Sequence, residues 1–536
     1  MSPARRPTPP ADRSVRRSAS QTTRSRGSRP REATLDQTAR HGAQGQQLRV
    51  LMVTEGTYPF VVGGVSSWCD QLVGGLSDVD WILLPIVGGD TLRKRIFHIP
   101  PNVRLMKSLE LWSDSRIRTV GARSSSRTRR DDLPGELLRG LLAWDANPAT
   151  LKDPLLWCRQ NPTAIRHSFR ASVGWDSFLA ALEELRVESV PDAHAMPEMD
   201  IPEASELYQT LYWVARCGAM PLPKTDVMHL TAAGWASLPA IAEKADRGTP
   251  VLLTEHGLYV REAYLGAMST NATPGRRFIT SRLARGLTRT AYAVADLIAP
   301  VTPAHTQWER AFDVNPDKIR TIPNGVRNPD EPTPLPRHDV VVSVGRIDPL
   351  KDVHTLLRAA EAVLKERPNT QFLHYGPIGE AQEEYARSVQ MVYRSLNLGP
   401  RFRFMGSTEE PERALRAADV VLMTSISEGL PMTLLEAMSE ARPIVSTGVG
   451  GVADVIHGCG LTTQPGDVHG LANAVCTLLE FPDMAEEMGI RGFNRVKRKY
   501  TARRHLDAYR EALWDVSRLG APTRAGTAVD RREVVA

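Results

Sequence analysis

The stretch Asp339-Val340-Val341-Val342-Ser343-Val344 runs without a break into Gly345-Arg346-Ile347-Asp348-Pro349-Leu350-Lys351-Asp352. Its first six residues are mostly β-branched and apolar, too short for a buried helix, and have the character of a strand covered on both faces. Glycine and proline end the strand, and the apolar spacing over 352–366 predicts a helix next. The unit then repeats. Strands are expected at 339–344, 370–375, 401–405, 419–424, 443–446 and 459–463, separated by helices at 352–366, 380–396, 410–417, 432–441 and 467–480. This alternation implies a parallel sheet with right-handed crossovers.

A second series of the same kind lies upstream. It opens at Leu48-Arg49-Val50-Leu51-Met52-Val53, continues through a Gly-bearing loop into the amphipathic stretch Ser66–Leu76, and returns as a strand at Trp81–Val87. Short buried strands are expected again at 227–230, 251–254, 297–300 and 319–322, with helices at 233–246, 276–294 and 304–312. Between the two parts, residues 90–220 read as a mainly helical insertion, helical over 135–186 and 203–217, with a basic, Ser-rich loop at 116–130. The fold class is therefore α/β: two Rossmann-like, doubly wound parallel-sheet domains facing a central cleft, with a helical insertion in the first. The expected boundaries are a disordered basic tail at 1–47, a first domain at 48–330, a Pro-rich linker, a second domain at 338–500, a C-terminal helix at 501–517 and a disordered tail at 518–536.

Composition narrows the function. A chain of 536 residues with 42% hydrophobic and 24% charged residues suits two α/β domains. The net charge of +6 is concentrated at one end, because residues 1–47 hold ten Arg and three acids. The rest is near neutral and has no aromatic–basic module, which excludes a nucleic-acid partner. The five Cys form no C-x-x-C pair, and a reducing cytosol fits them. No apolar run is long enough to span a membrane. A cytoplasmic protein is expected. The basic segments 1–47 and 116–130 read as solvated chain in preference to a surface for anionic lipid or a membrane partner.

Ligands of open α/β sheets bind at the carboxyl edges of the strands, so the strand-to-helix loops carry the candidate chemistry. Gly63 and Gly64 precede a helix and leave backbone amides open to a ligand, although a Gly pair alone also fits a tight turn. His256, in Thr254-Glu255-His256-Gly257, follows a strand and faces that edge. Arg346 and Lys351 flank a helix start, where guanidinium, ammonium and helix dipole suit a diphosphate. In Ser427-Glu428-Gly429-Leu430-Pro431, a carboxylate precedes a turn, and Glu436 follows eight positions later within an apolar helix face. An unpartnered structural carboxylate there is costly, which favours function. Asp78-Val79-Asp80 has the spacing of a D-x-D metal motif but falls at a helix-to-strand junction, on the opposite edge. No metal site and no cofactor are expected, and Arg346 and Lys351 are the groups available to neutralise a leaving diphosphate.

Together these segments resemble family 4 glycosyltransferases, which have the GT-B fold. The resemblance rests on Glu428 and Glu436, on Gly345-Arg346 with Lys351-Asp352, and on Pro323-Asn324-Gly325-Val326, and covers roughly 48–90 and 225–500. Within that family the chain is most similar to the cytosolic glycosyltransferases of bacterial Pel exopolysaccharide synthesis. That similarity is carried by Glu55-Gly56-Thr57-Tyr58-Pro59, Gly63-Gly64-Val65-Ser66-Ser67-Trp68, Thr254-Glu255-His256-Gly257-Leu258-Tyr259, Tyr375-Gly376-Pro377 and Thr424-Ser425-Ile426-Ser427-Glu428-Gly429-Leu430-Pro431.

The resemblance implies that Arg346 and Lys351 hold the diphosphate, Glu436 the ribose, and Glu428 with the Gly429-Leu430-Pro431 turn the donor sugar. Gly63 and Gly64 would give phosphates and acceptor access to backbone, and His256 would line the reacting centre. It further implies a UDP-sugar donor, UDP-glucose or a relative, retention at the anomeric carbon, a glycan acceptor, and a membrane polysaccharide synthase as partner. The Arg-rich tail and Ser439-Glu440-Ala441 depart from the family pattern. A non-hydrolysing nucleotide-sugar epimerase, a phosphorylase of the same fold and an inactive scaffold of a synthase complex are the competing readings.

Overall fold

The computed structural model describes residues 47–520, apart from 57, 89–95, 107, 113–128, 192–193, 270–271, 328 and 380–381. Most of the tails expected at 1–47 and 518–536, and most of the basic loop at 116–130, lie outside the described residues.

Among the described residues the first sheet has seven strands: β1 (Arg49–Glu55), β2 (Asp80–Gly88), β3 (Val103–Leu105), β4 (Leu109–Leu111), β5 (Val227–Leu230), β6 (Val251–Glu255) and β7 (Leu297–Pro300). They run in the order β3-β2-β1-β5-β6-β7, with β4 pairing onto the end of β2, and every pairing is parallel. The second sheet holds β8 (Val340–Val344), β9 (Gln371–Tyr375), β10 (Phe402–Gly406), β11 (Val420–Met423), β12 (Ile444–Thr447) and β13 (Gly460–Thr463), in the order β10-β9-β8-β11-β12-β13. Both sheets reverse direction at their first strand. That switch point, between β1 and β5 and between β8 and β11, is where a crevice opens above a doubly wound sheet.

The alternation of side chains along each strand builds a core on each face. In β1, Leu51 and Val53 face the insertion helices, against Leu137, Leu141 and Leu211. Val50 and Met52 face the other way, against Trp68 and Leu72. In the second sheet, Val341 and Leu422 pack beneath Leu356 and Leu357, while Val342 and Val421 pack on Leu434 and Leu435.

Three expectations need correction. The insertion is not helical from its start, because β3 and β4 extend the first sheet before helices Leu133–Leu142, Lys152–Gln160, Ile165–Arg170, Ser172–Arg186 and Ile201–Gly218 begin. Residues 319–322 form no strand and contribute a single bridge, Ile319 to Ile298. The C-terminal helix runs Ala502–Gly520, so 518–520 are helical. It does not stand apart, for Tyr509, Ala512, Leu513 and Val516 enter the core beneath β1.

The insertion docks through close backbone contact. Gly286, on helix Pro274–Val294, lies so near Leu141 that a Cβ would stand 1.9 Å from the Leu141 carbonyl oxygen. Gly286→Ala is therefore expected to destabilise the protein by about 1–3 kcal/mol, read as a lowered urea midpoint, despite the higher helix propensity of Ala.

Candidate active site

The loops after β1, β6, β8 and β11 converge on one cleft of about 380 Å³. Gly63, Gly64 and His256 line it from the first domain; Arg346, Lys351, Glu428, Gly429, Leu430, Pro431 and Glu436 line it from the second. Every residue singled out from the sequence thus opens onto the same space. Asp78 and Asp80 lie elsewhere: Asp80 starts β2 and pairs with Arg49 and Arg104, and Asp78 pairs with Arg510.

Two helix starts point at the cleft without a side-chain cap. Helix Gly64–Gly75 begins after Gly63, and helix Met432–Ser439 begins after Pro431. Their first amides have no partner within the helix and suit an anion. A Cβ on Gly63 would point at Arg346 Nη1, 4.0 Å away, and one on Gly64 at Met432 Cγ, 3.9 Å away. The glycine backbone therefore faces the second domain across open space.

The helix expected to assist Arg346 and Lys351 is a different matter. Helix Val353–Glu366 is closed by its own neighbours: Asp352 accepts from the Thr355 amide at 3.2 Å, and the Tyr385 hydroxyl accepts from the Val353 amide at 2.9 Å. That helix end has no free amides to offer. Nor is Lys351 a lone cation, because its Nζ donates to Glu428 Oε1 at 2.5 Å. Arg346 is the more open of the two, 42% exposed, with Asp348 at 3.6 Å.

The loop that carries Glu428 is fixed from both sides. Within the second domain, Thr424 Oγ1 donates to the Lys351 carbonyl at 2.9 Å, and the Ile426 amide to the Leu350 carbonyl at 2.9 Å. From the first domain, Asn324 Nδ2 donates to the Leu430 carbonyl at 2.7 Å, and Arg261 donates to Ser427 Oγ and to the Ile426 carbonyl. Gly429 is packed so closely that a Cβ would stand 2.0 Å from the His256 carbonyl oxygen.

Burial sets the charge states. His256 packs edge-on against Trp68, its ring centroid 4.4 Å away, and its Nε2 has no hydrogen-bond partner among the described residues. Burial pulls its pKa down to about 3, assisted by His505, His229 and His305, so the ring is neutral. Glu436 is pushed up to about 7 by burial and then by Glu412. Glu262 is also pushed up to about 7, by burial and then by Glu428. The sequence reading missed Glu262 and Arg261. Both lie on helix Tyr259–Ser269, which starts two residues after Gly257. Its closeness to the Thr254–Gly257 segment was the available signal.

The comparisons with known proteins bear on this arrangement. Residues 48–317, just over half of the chain, match the family model described as "Domain of unknown function (DUF3492)". The chain belongs to the DUF3492 family. In this DUF3492 protein the following residues, 338–480, match the model "Glycosyl transferases group 1". Trehalose synthase of Thermococcus litoralis is 28% identical over 185 residues, 33% of this chain and 44% of that protein, so the match spans less than half of that relative. D-inositol 3-phosphate glycosyltransferase of Nocardioides is 26% identical over 56% of this chain and 70% of its own.

Among solved structures, Anabaena Alr3699/HepE in complex with UDP and glucose superposes with a TM-score of 0.55 over 87% of this chain and 99% of that one, at 14% identity. Sucrose-phosphate synthase from Thermosynechococcus elongatus superposes with a TM-score of 0.52 over 87% and 100%, at 18% identity. These likenesses identify the DUF3492 protein's two-sheet architecture as the GT-B fold.

Glu436 gives a test of the site's cost in stability. Its pKa stands at about 7 in the folded protein against an ordinary 4.5. Between those values the unfolded chain is ionised while the native carboxyl keeps its proton, so its stabilising share is complete below the lower value and is lost as pH rises through the upper one. Glu436→Gln, neutral throughout, is expected to leave stability unchanged at pH 4 and to raise it at pH 8 by on the order of 1–3 kcal/mol, read by urea denaturation without ligand.

Proposed function

We propose that the chain is a retaining glycosyltransferase of family 4, a hexosyltransferase that moves a hexose-type sugar from a UDP-sugar to a growing bacterial exopolysaccharide or related glycan, in the manner of PelF. The observation that carries this reading is the meeting of Arg346 and Lys351 with two uncapped helix starts across one cleft at the switch points of two sheets. Cations and oriented amides facing each other fit a pyrophosphate better than any neutral ligand. The match of residues 338–480 to a glycosyltransferase model supports the class, and the UDP and glucose held by the Anabaena fold neighbour support a UDP-sugar as donor.

In this reading the diphosphate sits between Arg346 and the Gly63-Gly64 backbone, with Lys351 behind it. Glu436, partly open to the cleft, accepts from ribose hydroxyls, and Glu428 with the Gly429-Leu430-Pro431 turn accepts from and donates to the sugar. The C1–O bond to the diphosphate breaks and its electron pair leaves with UDP, positive charge develops at C1, and the acceptor oxygen bonds to C1 from the same face. Charge on the departing diphosphate is the quantity to stabilise. Arg346, Lys351 and the amides supply that without a divalent ion, and no cofactor enters. Neutral His256 lines the reacting centre as a hydrogen-bonding group, since its pKa excludes a cationic role. None of the described helices is long and apolar enough to cross a membrane. We assign the reaction to the cytoplasm, with a membrane polysaccharide synthase as partner.

Arg346→Ala is expected to lower turnover of UDP-glucose by about 10²–10³, as removal of one preorganised charge donor does. Lys351→Ala should cost at least as much, because it also strands Glu428. The measurement is UDP release from UDP-glucose in the presence of chelator. Near-normal turnover by Arg346→Ala, or a dependence on added manganese, defeats the reading.

A further inference from the structure

Three tryptophans meet at the carboxyl edge of the first sheet, beyond the cleft. Trp112 follows β4, whose Leu111 pairs with Gly88 at the end of β2. Trp235 stands in the loop after β5, and Trp213 on helix Ile201–Gly218 of the insertion. Trp112 meets both others edge to face, its ring centroid 5.9 Å from that of Trp235 and 6.0 Å from that of Trp213. Trp213 is 7% exposed, whereas Trp112 is 49% exposed. The inner ring belongs to the core, and the outer one is held against it with half of its surface in water.

Two further observations single out Trp112. Its φ is 65°, in the left-handed region that a bulky side chain seldom occupies. The residue thus combines an unfavourable backbone with an exposed indole, the pattern of a side chain kept for a ligand. Its support is also fixed in advance. Glu55, at the end of β1, accepts from the Ala236 amide at 2.8 Å and from the Trp235 amide. At Gly234 a Cβ would stand 2.5 Å from Glu55 Oε2 and 2.7 Å from Tyr259 Cε2. One carboxyl group and one ring therefore hold the Trp235 loop in place.

Tyr259 gives the direction. It opens helix Tyr259–Ser269, and Glu262, one turn along, lines the cleft. The tryptophans and the cleft are thus joined through a single helical turn on the same edge of the same sheet. A hexose ring has apolar C–H faces and a rim of hydroxyls, so it stacks on an indole and leaves its rim to water. A protein partner or a lipid surface needs a broader apolar patch than one half-exposed ring.

We propose that Trp112, backed by Trp213 and Trp235, is a stacking subsite for the acceptor glycan, holding a neutral sugar ring one or more units away from the end that reacts. The proposal rests on the reading of the chain as a glycosyltransferase with a glycan acceptor. The acceptor runs from Trp112 past Tyr259 to the cleft, and an oligosaccharide is preferred to a monosaccharide because it reaches both. No bond forms or breaks at the subsite.

The test uses the full chain as wild type, Trp112→Ala and Trp112→Phe, titrated by calorimetry with cellotetraose, chitotetraose, maltotetraose, glucose and UDP. Wild type is expected to bind at least one tetrasaccharide, more tightly than glucose. Trp112→Ala should bind it about 10–100-fold more weakly, the scale of losing one aromatic anchor, and Trp112→Phe should recover part of the loss. UDP should bind alike to all three proteins. Tetrasaccharide affinity in Trp112→Ala within about threefold of wild type overturns the proposal. So does a wild type that binds no tetrasaccharide at millimolar concentration. Joint loss of tetrasaccharide and UDP binding in Trp112→Ala marks a structural residue and overturns it too. The donor reading is separable: a wild type whose tetrasaccharide binding depends on Trp112 but which does not bind UDP keeps the sugar subsite and removes the UDP-sugar reading.

Discussion

The carbonyl oxygen of His256 comes so close to residue 429 that only a hydrogen fits in place of a side chain. Here the two domains meet backbone to backbone, through the loops after β6 and β11. A similar contact lies beside it. A Cβ on Gly451 would stand 2.4 Å from Thr302 Oγ1 of the first domain. Side chains at these positions would hold the domains apart, and the loops after β6 and β11 would no longer share a cleft. The hydrogen bonds from Arg261 and Asn324 to Ser427, Ile426 and Leu430 act on the same junction, so the donor-side loop is held by the opposite domain.

Around this junction the charges are arranged as a set. Lys351 and Glu428 neutralise each other, Arg346 remains open, and burial raises Glu262 and Glu436 to about 7, so that both are partly protonated at neutral pH. His256 is neutral for the same reason. The cleft therefore presents one open guanidinium and two sets of amide dipoles beside partly protonated carboxyls. An anionic ligand meets attraction without first displacing a strong counter-ion, and its arrival shifts the proton balance of the nearby carboxyls.

The second sheet was legible almost to the residue, because its strands are short and rich in β-branched and apolar residues, as in Val340–Val344, and the central ones, β11 and β12, are buried on both faces. Strands β3 and β4 were not, since three residues each give no period to detect and their pairing with β2 is a long-range event. Residues 319–322 have strand composition but find only one bridge, a case of tertiary context overruling propensity. In the site, the loop positions could be read because ligand-facing loops follow strands. The Lys351–Glu428 pair could not, for 77 residues separate its partners. The helix expected from residue 352 starts one residue later, with Asp352 as its cap. Glu262 belongs to no motif and to no predicted helix, and only the fold brings it against Gly257.

The return of helix Ala502–Gly520 to the first domain has a consequence for how the chain is made. Tyr509 hydrogen-bonds Thr254 at 3.0 Å and stacks near Trp68 and His229, so the last described helix completes the core that the first strand begins. On the ribosome, the face of β1 bearing Val50 and Met52 emerges long before the helix that covers it. The second domain, synthesised in between, can close its own sheet earlier. Assembly of the first domain is thereby deferred until residues 502–520 have been made, and a nascent chain stalled before residue 502 presents an uncovered apolar sheet to whatever chaperone attends it.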